Sequence, residues 1–220
     1  MTDYPLIKTY ARSLARPLSQ RKKMLMDSKL PQILTLPHII AKAKAFSNVC
    51  LEIGFGNGKH LLTYAQNHPN TLCIGAEPYL NGVAQVLHML YPDDNGGKLD
   101  NILLHPADAR QLFIPGLHNL FNQIFILYPD PWPKARHHKK RLINTQFLQN
   151  IVKVMAPNAK LDIMTDHNDY AAWIEHAINT CPALSIQLYD ITNNPIIASK
   201  YESRGLKMNA QLHHFQAVKR

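Results

Sequence analysis

Cysteine and long apolar runs are scarce in this chain. It has 3 cysteines in 220 residues. They are far apart and form no CxxC pair, which excludes a zinc cluster and a disulfide-rich scaffold. No segment approaches the roughly 18 apolar residues of a membrane span, and no apolar stretch of a secretory signal follows the first basic residues. We therefore expect a cytoplasmic protein in a reducing compartment, with no membrane and no metal site.

Acidic residues are outnumbered by basic ones, 15 to 24, and the imbalance is uneven along the chain. The net charge is +7 over residues 1–45, −3 over 46–129 and +5 over 130–220. A generally basic protein is one interpretation, and a polyanion-binding protein with a separate small-molecule pocket is the other. The 46% of apolar residues excludes a disordered chain. We predict a basic N-terminal arm at 1–45 and one main domain at 46–220.

Short apolar runs alternate with amphipathic helices from residue 48 onward. We predict strands at 49–54, 71–77, 101–108, 123–130, 160–166, 185–192 and 213–218. Helices are predicted near 59–68, 79–90, 141–155 and 168–180, and in the arm at about 19–28, capped by Ser19, and after Pro37. This alternation is typical of βαβ units on a parallel sheet. The last two strands have no helix between them, so we expect a closing hairpin that adds one antiparallel strand.

Three glycines, Gly54, Gly56 and Gly58, follow the first predicted strand and open a helix. Glycines there let the backbone turn sharply and approach a ligand closely. A plain tight turn is the alternative. The spacing is GxGxG and lacks the GxGxxG of dinucleotide-binding folds, which argues against a nicotinamide oxidoreductase.

Carboxylates stand at the ends of the next two predicted strands. Glu77 closes the second strand, where a carboxylate suits the two hydroxyls of a ribose, and Asp108 closes the third. Solvated surface acids are the alternative. Several carboxylates beside a glycine loop would repel a pyrophosphate, so they favour an adenosine without phosphates. S-adenosylmethionine fits, because it combines adenine, ribose and a positive sulfonium.

The most specific segment is YPDPWPK at residues 128–134. Prolines on both sides of Asp130 push the preceding residues out of the α region, so the carboxylate is held in one orientation. Trp132 offers a face for base stacking. The basic run 134–141 follows, and cations at a helix start oppose the helix dipole unless an anion lies there. We expect phosphate binding, with a solvated helix start as the alternative and no metal-ligating role for its two histidines.

Two further segments are polar. TDHNDY at 165–170 ends the fifth predicted strand, and Asp166 either caps the next helix or contacts a ligand. SKYESRG at 199–205 lies in the predicted hairpin loop, where a polar surface turn is the alternative.

Together these segments resemble the bacterial tRNA (guanine-N7)-methyltransferase family. The resemblance runs from about Gly54 to Gly205 and rests on PDPWPK with its basic run, on SKYExxG, and on TD…YAxW. It implies an α/β class I methyltransferase fold, a doubly wound Rossmann-like sheet of seven strands with the last antiparallel, after a basic extension. It implies a tRNA-modifying, RNA-binding transferase that moves a methyl group from S-adenosyl-L-methionine to N7 of a variable-loop guanosine in tRNA, which forms 7-methylguanosine.

The resemblance also implies roles for particular residues. The residues expected to bind the cofactor are Glu52, Gly54, Gly56, Glu77, Asp108 and Asp130. Asp130 is also the expected catalytic residue. The residues expected to bind the substrate are Lys134, Asp166, Ser199, Lys200, Tyr201 and Glu202. Ser199 replaces the family's usual threonine and Tyr201 its usual phenylalanine, and either Glu202 or Asp166 is expected to read the guanine edge.

Two other functions fit part of the sequence. Methylation of a small molecule leaves the basic arm and the basic run unexplained. A non-catalytic RNA-binding protein on the same fold is the other alternative, and the intact Glu77 and Asp130 argue against it. We expect a monomer, with a dimer as the alternative.

Overall fold

A computed structural model describes residues 7, 9–10, 17–30, 36–92, 99–187 and 212–220 of the chain. It divides into two compact units, Met1–Leu112 and Phe113–Arg220. They are called unit 1 and unit 2 below. The predicted boundary near residue 45 falls inside unit 1, and the assignment of residues 1–45 as a separate arm stays a prediction.

Unit 1 is built around three parallel strands. Its elements are α1 (Gln20–Lys29), α2 (Leu36–Ala43), β1 (Asn48–Ile53), α3 (Lys59–Asn67), β2 (Thr71–Ala76), α4 (Leu80–Leu90) and β3 (Ile102–His105), followed by a 3-10 helix (Ala109–Leu112). The strand order is β3-β2-β1. In this register Ile53 lies opposite Ala76, and Ala76 opposite His105. The carboxyl ends of the three strands are therefore level.

The basic helix α1 packs against α4 in unit 1. Leu25 contributes its buried side chain to the hydrophobic core of this unit. Arg21 donates from Nη2 to the Tyr91 carbonyl at 3.2 Å, and Lys22 donates to the Gln85 side chain at 2.7 Å. Two of the positive charges of residues 1–45 are thus used in contacts within the protein.

The described residues of unit 2 form four strands, and the last of them runs antiparallel to its neighbours. Its elements are a 3-10 helix (Pro115–Leu117), β4 (Phe121–Leu127), a second 3-10 helix (Ala135–Lys140), α5 (Thr145–Val154), β5 (Met155–Thr165), α6 (Asn168–Asn179), β6 (Leu184–Gln187) and β7 (His213–Lys219). The strand order is β4-β5-β7-β6. β4 and β5 are parallel, and β7 is antiparallel to both β5 and β6.

The predicted fold class is confirmed. Within the residues that the structure describes, the chain has a seven-stranded α/β sheet with the last strand antiparallel. The helix predicted over 141–155 is shorter, because Asn144 is its N-cap and accepts a hydrogen bond from Phe147 N at 3.0 Å. Ser19 stands at the N-cap position of α1, but its side chain makes no capping hydrogen bond.

Neither a membrane-spanning helix nor a metal-binding cluster occurs within the described ranges. No helix there is long and apolar enough to cross a membrane, and no three His, Cys, Asp or Glu side chains are grouped to hold a metal ion. The three cysteines, Cys50, Cys73 and Cys181, are free thiols in buried positions. Burial raises the pKa of the Cys50 thiol well above its ordinary value, which makes it a poor nucleophile.

Candidate functional site

In unit 1, loops leave the carboxyl ends of three neighbouring parallel strands. Gly54 follows β1, Glu77 follows β2, and Asp108 lies shortly after β3. Two backbone hydrogen bonds extend the sheet past the strand ends: Gly54 N donates to Ala76 O at 2.8 Å, and Glu77 N donates to His105 O at 2.9 Å. The structure therefore brings these predicted residues to one edge, where open α/β sheets bind ligands.

The glycine loop after β1 has a backbone shape that only glycine adopts easily. Gly54, Gly56 and Gly58 have φ angles of +75°, +56° and +74°, in the left-handed region where a Cβ would be strained. A Cβ built on Gly54 or Gly56 would have no atom within 4 Å. The loop backbone at these two glycines therefore faces open space, and a ligand can approach it closely.

Helix α4 supports the glycine loop from behind. A Cβ on Gly82, in the first turn of α4, would lie 2.1 Å from the Gly56 carbonyl oxygen, and a Cβ on Gly58 would lie 2.0 Å from Val86 Cγ2. Both distances are far below van der Waals contact. Only glycine at these positions lets α4 pack so closely on the loop. Sequence reasoning missed Gly82, although a glycine inside a predicted helix is a recognisable signal.

Glu77 is a buried carboxylate that holds the glycine loop. Its Oε2 accepts a hydrogen bond from Gly56 N at 2.8 Å, and its Oε1 accepts one from Tyr79 N at 2.9 Å. These two hydrogen bonds hold the Glu77 carboxylate in one orientation. The carboxylate is thus fixed beside the loop, as a preorganised binding site requires.

Glu52 points into the protein and is paired. Its Oε2 lies 2.8 Å from His60 Nδ1, and both side chains are only 4% exposed. The His60 ring also stacks on Tyr64, with ring centroids 5.8 Å apart. Glu52 therefore has a fixed orientation set by α3. Sequence reasoning found Glu52 through the resemblance but missed His60, for which no local signal exists.

Asp108 is paired with a neighbouring arginine. Arg110 donates from Nε to Asp108 Oδ1 at 2.9 Å and from Nη2 to Oδ2 at 2.8 Å. Burial alone would raise the pKa of Asp108, but the hydrogen bonds from Arg110 outweigh it and hold that pKa below its ordinary value. Asp108 is therefore ionised at neutral pH. Arg110 was missed, although an arginine two residues after a strand-end acid is a visible signal.

In unit 2, the loop after β4 contains strained residues. Tyr128 and Trp132 have φ angles of +54° and +44°, a region in which bulky side chains are rare. The sequence predicts a backbone outside the right-handed α region for both. Their left-handed conformation was not predicted.

Asp130 stands between these two strained residues. Tyr128 N donates to Met164 O at 2.9 Å, and Arg141 Nε donates to Pro131 O at 2.9 Å. The backbone on each side of Asp130 is therefore tied to the rest of unit 2. The Asp130 side chain is exposed, and no hydrogen bond to its carboxylate is formed by any residue in the described part of the chain. Its charge is available to a substrate.

The basic run after this loop forms a 3-10 helix, Ala135–Lys140. Arg136 and Lys139 are exposed on it, and Lys140 Nζ lies 4.6 Å from the centre of the Trp132 ring. The run does not start α5, as the sequence predicted, because α5 begins only at Thr145, with Asn144 as its N-cap. The argument from the dipole of that helix is therefore wrong, and phosphate binding by the run rests on its exposed charges.

Arg141, at the end of the basic run, is buried. Its side chain is 1% exposed and forms an ion pair with Asp169. Its guanidinium lies 5.0 Å from the centre of the Tyr170 ring and 5.1 Å from that of the Trp173 ring. The prediction that Arg141 binds phosphate is wrong, because a phosphate cannot reach it.

Asp166, after β5, is exposed, and so is Lys134. The residue that caps α6 is His167, whose Nδ1 accepts from Tyr170 N at 3.3 Å. The capping role considered for Asp166 is therefore wrong. No residue in the ranges described above bonds to the Asp166 carboxylate, so it is free for a ligand, which was the other interpretation.

Comparison with known proteins identifies the family. Residues 47–215 match the family model Methyltransf_4, "Putative methyltransferase". A tRNA (guanine-N(7)-)-methyltransferase from Caulobacter vibrioides (strain NA1000 / CB15N) is 35% identical over 212 residues, which cover 91% of this chain and 90% of that relative. The chain belongs to the tRNA (guanine-N7)-methyltransferase family. A relative of the same name from Wolbachia pipientis wMel is 40% identical over 168 residues, which cover 76% of this chain and 73% of the relative.

A solved structure supports the fold of this tRNA (guanine-N7)-methyltransferase family member. It is a mutant of the 16S rRNA (adenine(1408)-N(1))-methyltransferase from Catenulisporales acidiphilia, with cosubstrate SAM. The TM-score is 0.58 at 18% identity, and the match covers 84% of this chain and 92% of that chain. The predicted class I methyltransferase fold is therefore confirmed.

The residues that this methyltransferase family implies fall into three sets. Five predicted cofactor residues lie on or beside the loops at one edge of unit 1: Glu52, Gly54, Gly56, Glu77 and Asp108. Asp130, Lys134 and Asp166 lie just beyond strands of unit 2. The remaining four, Ser199, Lys200, Tyr201 and Glu202, lie outside the described residues. The binding and catalytic roles of all three sets stay predictions.

Proposed function

We propose that this protein transfers the methyl group of S-adenosyl-L-methionine to N7 of a guanosine in the variable loop of tRNA. The observation that carries the proposal lies in unit 2, where the fixed loop that bears the exposed Asp130 continues directly into the exposed basic 3-10 helix Ala135–Lys140. The Asp130 carboxylate suits a substrate that gains positive charge, and the basic 3-10 helix suits a polyanion. The relative from Caulobacter vibrioides, named for this reaction, supports the same function.

The residues of unit 1 fit the proposed cofactor. Gly54 and Gly56 leave open space beside the loop backbone, and the fixed Glu77 carboxylate beside them is the kind of group that binds the hydroxyls of a ribose. Asp108 would accept a hydrogen bond from the adenine edge, and the buried Glu52, paired with His60, would act only by fixing the end of β1 beside the glycine loop. Bound S-adenosylmethionine supplies an activated methyl group on a positive sulfonium.

Asp130 is the proposed catalytic residue. Guanine N7 has an in-plane lone pair and no hydrogen, so methylation at N7 requires no general base. N7 becomes positively charged as the bond to carbon forms, and a carboxylate held nearby stabilises that charge more in the transition state than in the ground state. The tied backbone around Asp130 means that little reorganisation accompanies the reaction.

The exposed charges of the 3-10 helix are proposed to hold the tRNA backbone. Arg136 and Lys139 contact phosphates, which fix the position of the nucleic acid but do not read its sequence. Trp132, with Lys140 over its ring, offers an aromatic surface for a base. Lys134 and Asp166 are proposed to contact the guanosine.

Nucleoside mass spectrometry of tRNA incubated with the protein and S-adenosylmethionine tests this proposal. A transcript with one variable-loop guanosine should gain 7-methylguanosine, and a matched transcript with adenosine at that position should not. The Asp130→Asn variant is the enzyme control. Absence of 7-methylguanosine from every tRNA would overturn the function. Methylation of small purine nucleosides at the same rate as tRNA would favour the small-molecule alternative.

A further inference from the structure

The proposed catalytic mechanism gives no role to the YAxW motif at residues 170–173 or to Arg141, the last residue of the basic run. Tyr170 and Trp173 lie on α6, and both rings contact the guanidinium of Arg141. Arg141 in turn donates to Pro131 O, next to Asp130. These contacts form a continuous chain from α6 to the loop that carries Asp130.

The segment that contains Arg141 is itself fixed by α6. Trp173 Nε1 donates to Ile143 O at 2.7 Å, and Ile143 N donates to the Tyr170 hydroxyl oxygen at 3.2 Å. Arg141 also forms its ion pair with Asp169 on the same helix, and the hydrogen bond from Arg141 holds the pKa of Asp169 below its ordinary value. Arg141 is thus held by its ion pair with Asp169 and by two aromatic rings, and the backbone two residues further on is hydrogen-bonded to α6.

The loop needs such a support. Tyr128 and Trp132 are bulky residues with positive φ, and conformations of this kind persist only where surrounding contacts hold them. The Arg141 bond to Pro131 O falls between Asp130 and the strained Trp132. A lysine cannot replace it, because one ammonium cannot present a planar fork to Pro131 and Asp169 and also stack on two rings.

We infer that Arg141 is a positioning residue, which fixes the loop bearing Asp130 by linking Pro131 to α6. It acts through Asp130 and does not contact tRNA phosphate. The inference rests on the proposed catalytic role of Asp130. In it, Tyr170 and Trp173 of the YAxW motif act by holding Arg141 in place.

The test compares Arg141→Met with Lys153→Met, a matched change at an exposed lysine of α5. Arg141→Met should lower the single-turnover rate at saturating tRNA and S-adenosylmethionine by about 10- to 100-fold, the scale of a small misplacement of a reacting group. The tRNA Kd and its salt slope should stay within error of the unaltered protein, as in Lys153→Met. An unchanged rate, or a flattened salt slope, would overturn the inference.

Fluorine NMR of the full chain labelled with 5-fluorotryptophan provides a readout of the loop itself. The chain has 2 tryptophans, Trp132 and Trp173, so each gives one assignable resonance. Arg141→Met should broaden or split the Trp132 resonance, and a sharp, unshifted resonance would contradict the inference. If the unaltered protein forms no 7-methylguanosine, the proposed function fails, but this spectrum still tests the contact between Arg141 and the loop.

A second comparison separates positioning from general destabilisation. In an Asp130→Asn background the Arg141→Met change should cost less than about threefold in rate, since the group it positions is already lost. Independent, multiplicative losses would overturn the inference. If Arg141→Met shows no cooperative unfolding and so does not fold, Asp169→Asn is used instead, because it keeps the shape of the side chain that pairs with Arg141. Asp169→Asn should lower the rate by about 3- to 10-fold and should also broaden or split the Trp132 resonance. A normal rate in Asp169→Asn would then count against it.

Discussion

The strand-end carboxylates of the two units are held in different ways. In unit 1, Glu52 and Asp108 pair with His60 and Arg110, and Glu77 accepts hydrogen bonds from two backbone N–H groups. In unit 2, Asp130 and Asp166 are exposed, and no partner for either carboxylate occurs in the described part of the chain. Here the backbone is fixed and the carboxylate is free.

This difference matches two kinds of work. A carboxylate that binds a small cofactor gains from fixed geometry. A carboxylate that stabilises charge developing on a substrate has to keep its own charge uncompensated until the substrate arrives. In the proposed roles, the cofactor carboxylates of unit 1 are oriented through their side chains, and Asp130 of unit 2 is oriented through its main chain.

The strongest test of this comparison is Asp130→Asn, which keeps the shape of the side chain and removes its charge. We expect the single-turnover rate to fall by about 10²- to 10³-fold, the usual cost of losing one electrostatic group in a transition state. The tRNA Kd should change by less than about threefold. Asp166→Asn is the matched control, and a smaller loss of rate is expected there. Normal turnover in Asp130→Asn would show that the free carboxylate is not needed.

A second test concerns Tyr170, whose ring contacts Arg141 and whose hydroxyl oxygen accepts a hydrogen bond from Ile143 N. Its burial, more than any other influence, raises its pKa to about 12 from the ordinary value of 10.0. Below pH 10 both states keep the proton, but between pH 10 and 12 the unfolded chain loses it first. The free energy of unfolding should therefore fall by about 2–3 kcal/mol as the pH rises through this window.

Urea unfolding at a series of pH values measures this dependence. Lysines titrate in the same window, so the quantity to compare is the difference between the unaltered protein and Tyr170→Phe. The difference should be constant below pH 10 and should shrink above it. The same pH dependence in both proteins would mean that Tyr170 is not buried as the structure has it.

The third test addresses the fixed carboxylates of unit 1. Glu77→Ala should weaken S-adenosylmethionine binding by roughly 1–3 kcal/mol, the scale of a lost charge-assisted hydrogen bond. It also leaves the N–H groups of Gly56 and Tyr79 without their acceptor, so the melting temperature should fall. Calorimetric titration measures the affinity, with Asp27→Ala, at an exposed acid of α1, as the control. Unchanged affinity would remove Glu77 from the cofactor site.

Much of the fold follows from local patterns in the sequence. The seven apolar runs could be placed because strand and helix periodicities repeat over short windows. The edge of unit 1 could also be predicted, since Gly54, Glu77 and Asp108 each follow such a run, and parallel strands end together. The resemblance to the methyltransferase family added roles that periodicity cannot supply.

Other features depend on contacts that the local sequence pattern does not reveal, and they could not be predicted. The basic run 134–141 reads as one charged stretch, but the structure separates Arg141 from the others and buries it against α6. Likewise, Asp166 and His167 are both plausible caps in the sequence, and only the path of the chain after β5 decides for His167. For Arg141 the deciding contacts are with residues far away in sequence. For His167 the deciding contact is made within the turn itself.

The smallest expected effect is on tRNA binding by the exposed cations of the basic run, Arg136 and Lys139. Arg136→Gln and Lys139→Gln should each weaken tRNA binding and flatten the slope of log K against log salt by about 0.7–0.9, because each removes one phosphate contact. The loss should be the same for all tRNAs, since phosphates carry no sequence information. Lys153→Gln, at an exposed lysine on α5, is the control for a general change in net charge. Equal slopes in all three variants and the unaltered protein would mean that the 3-10 helix does not contact the RNA backbone.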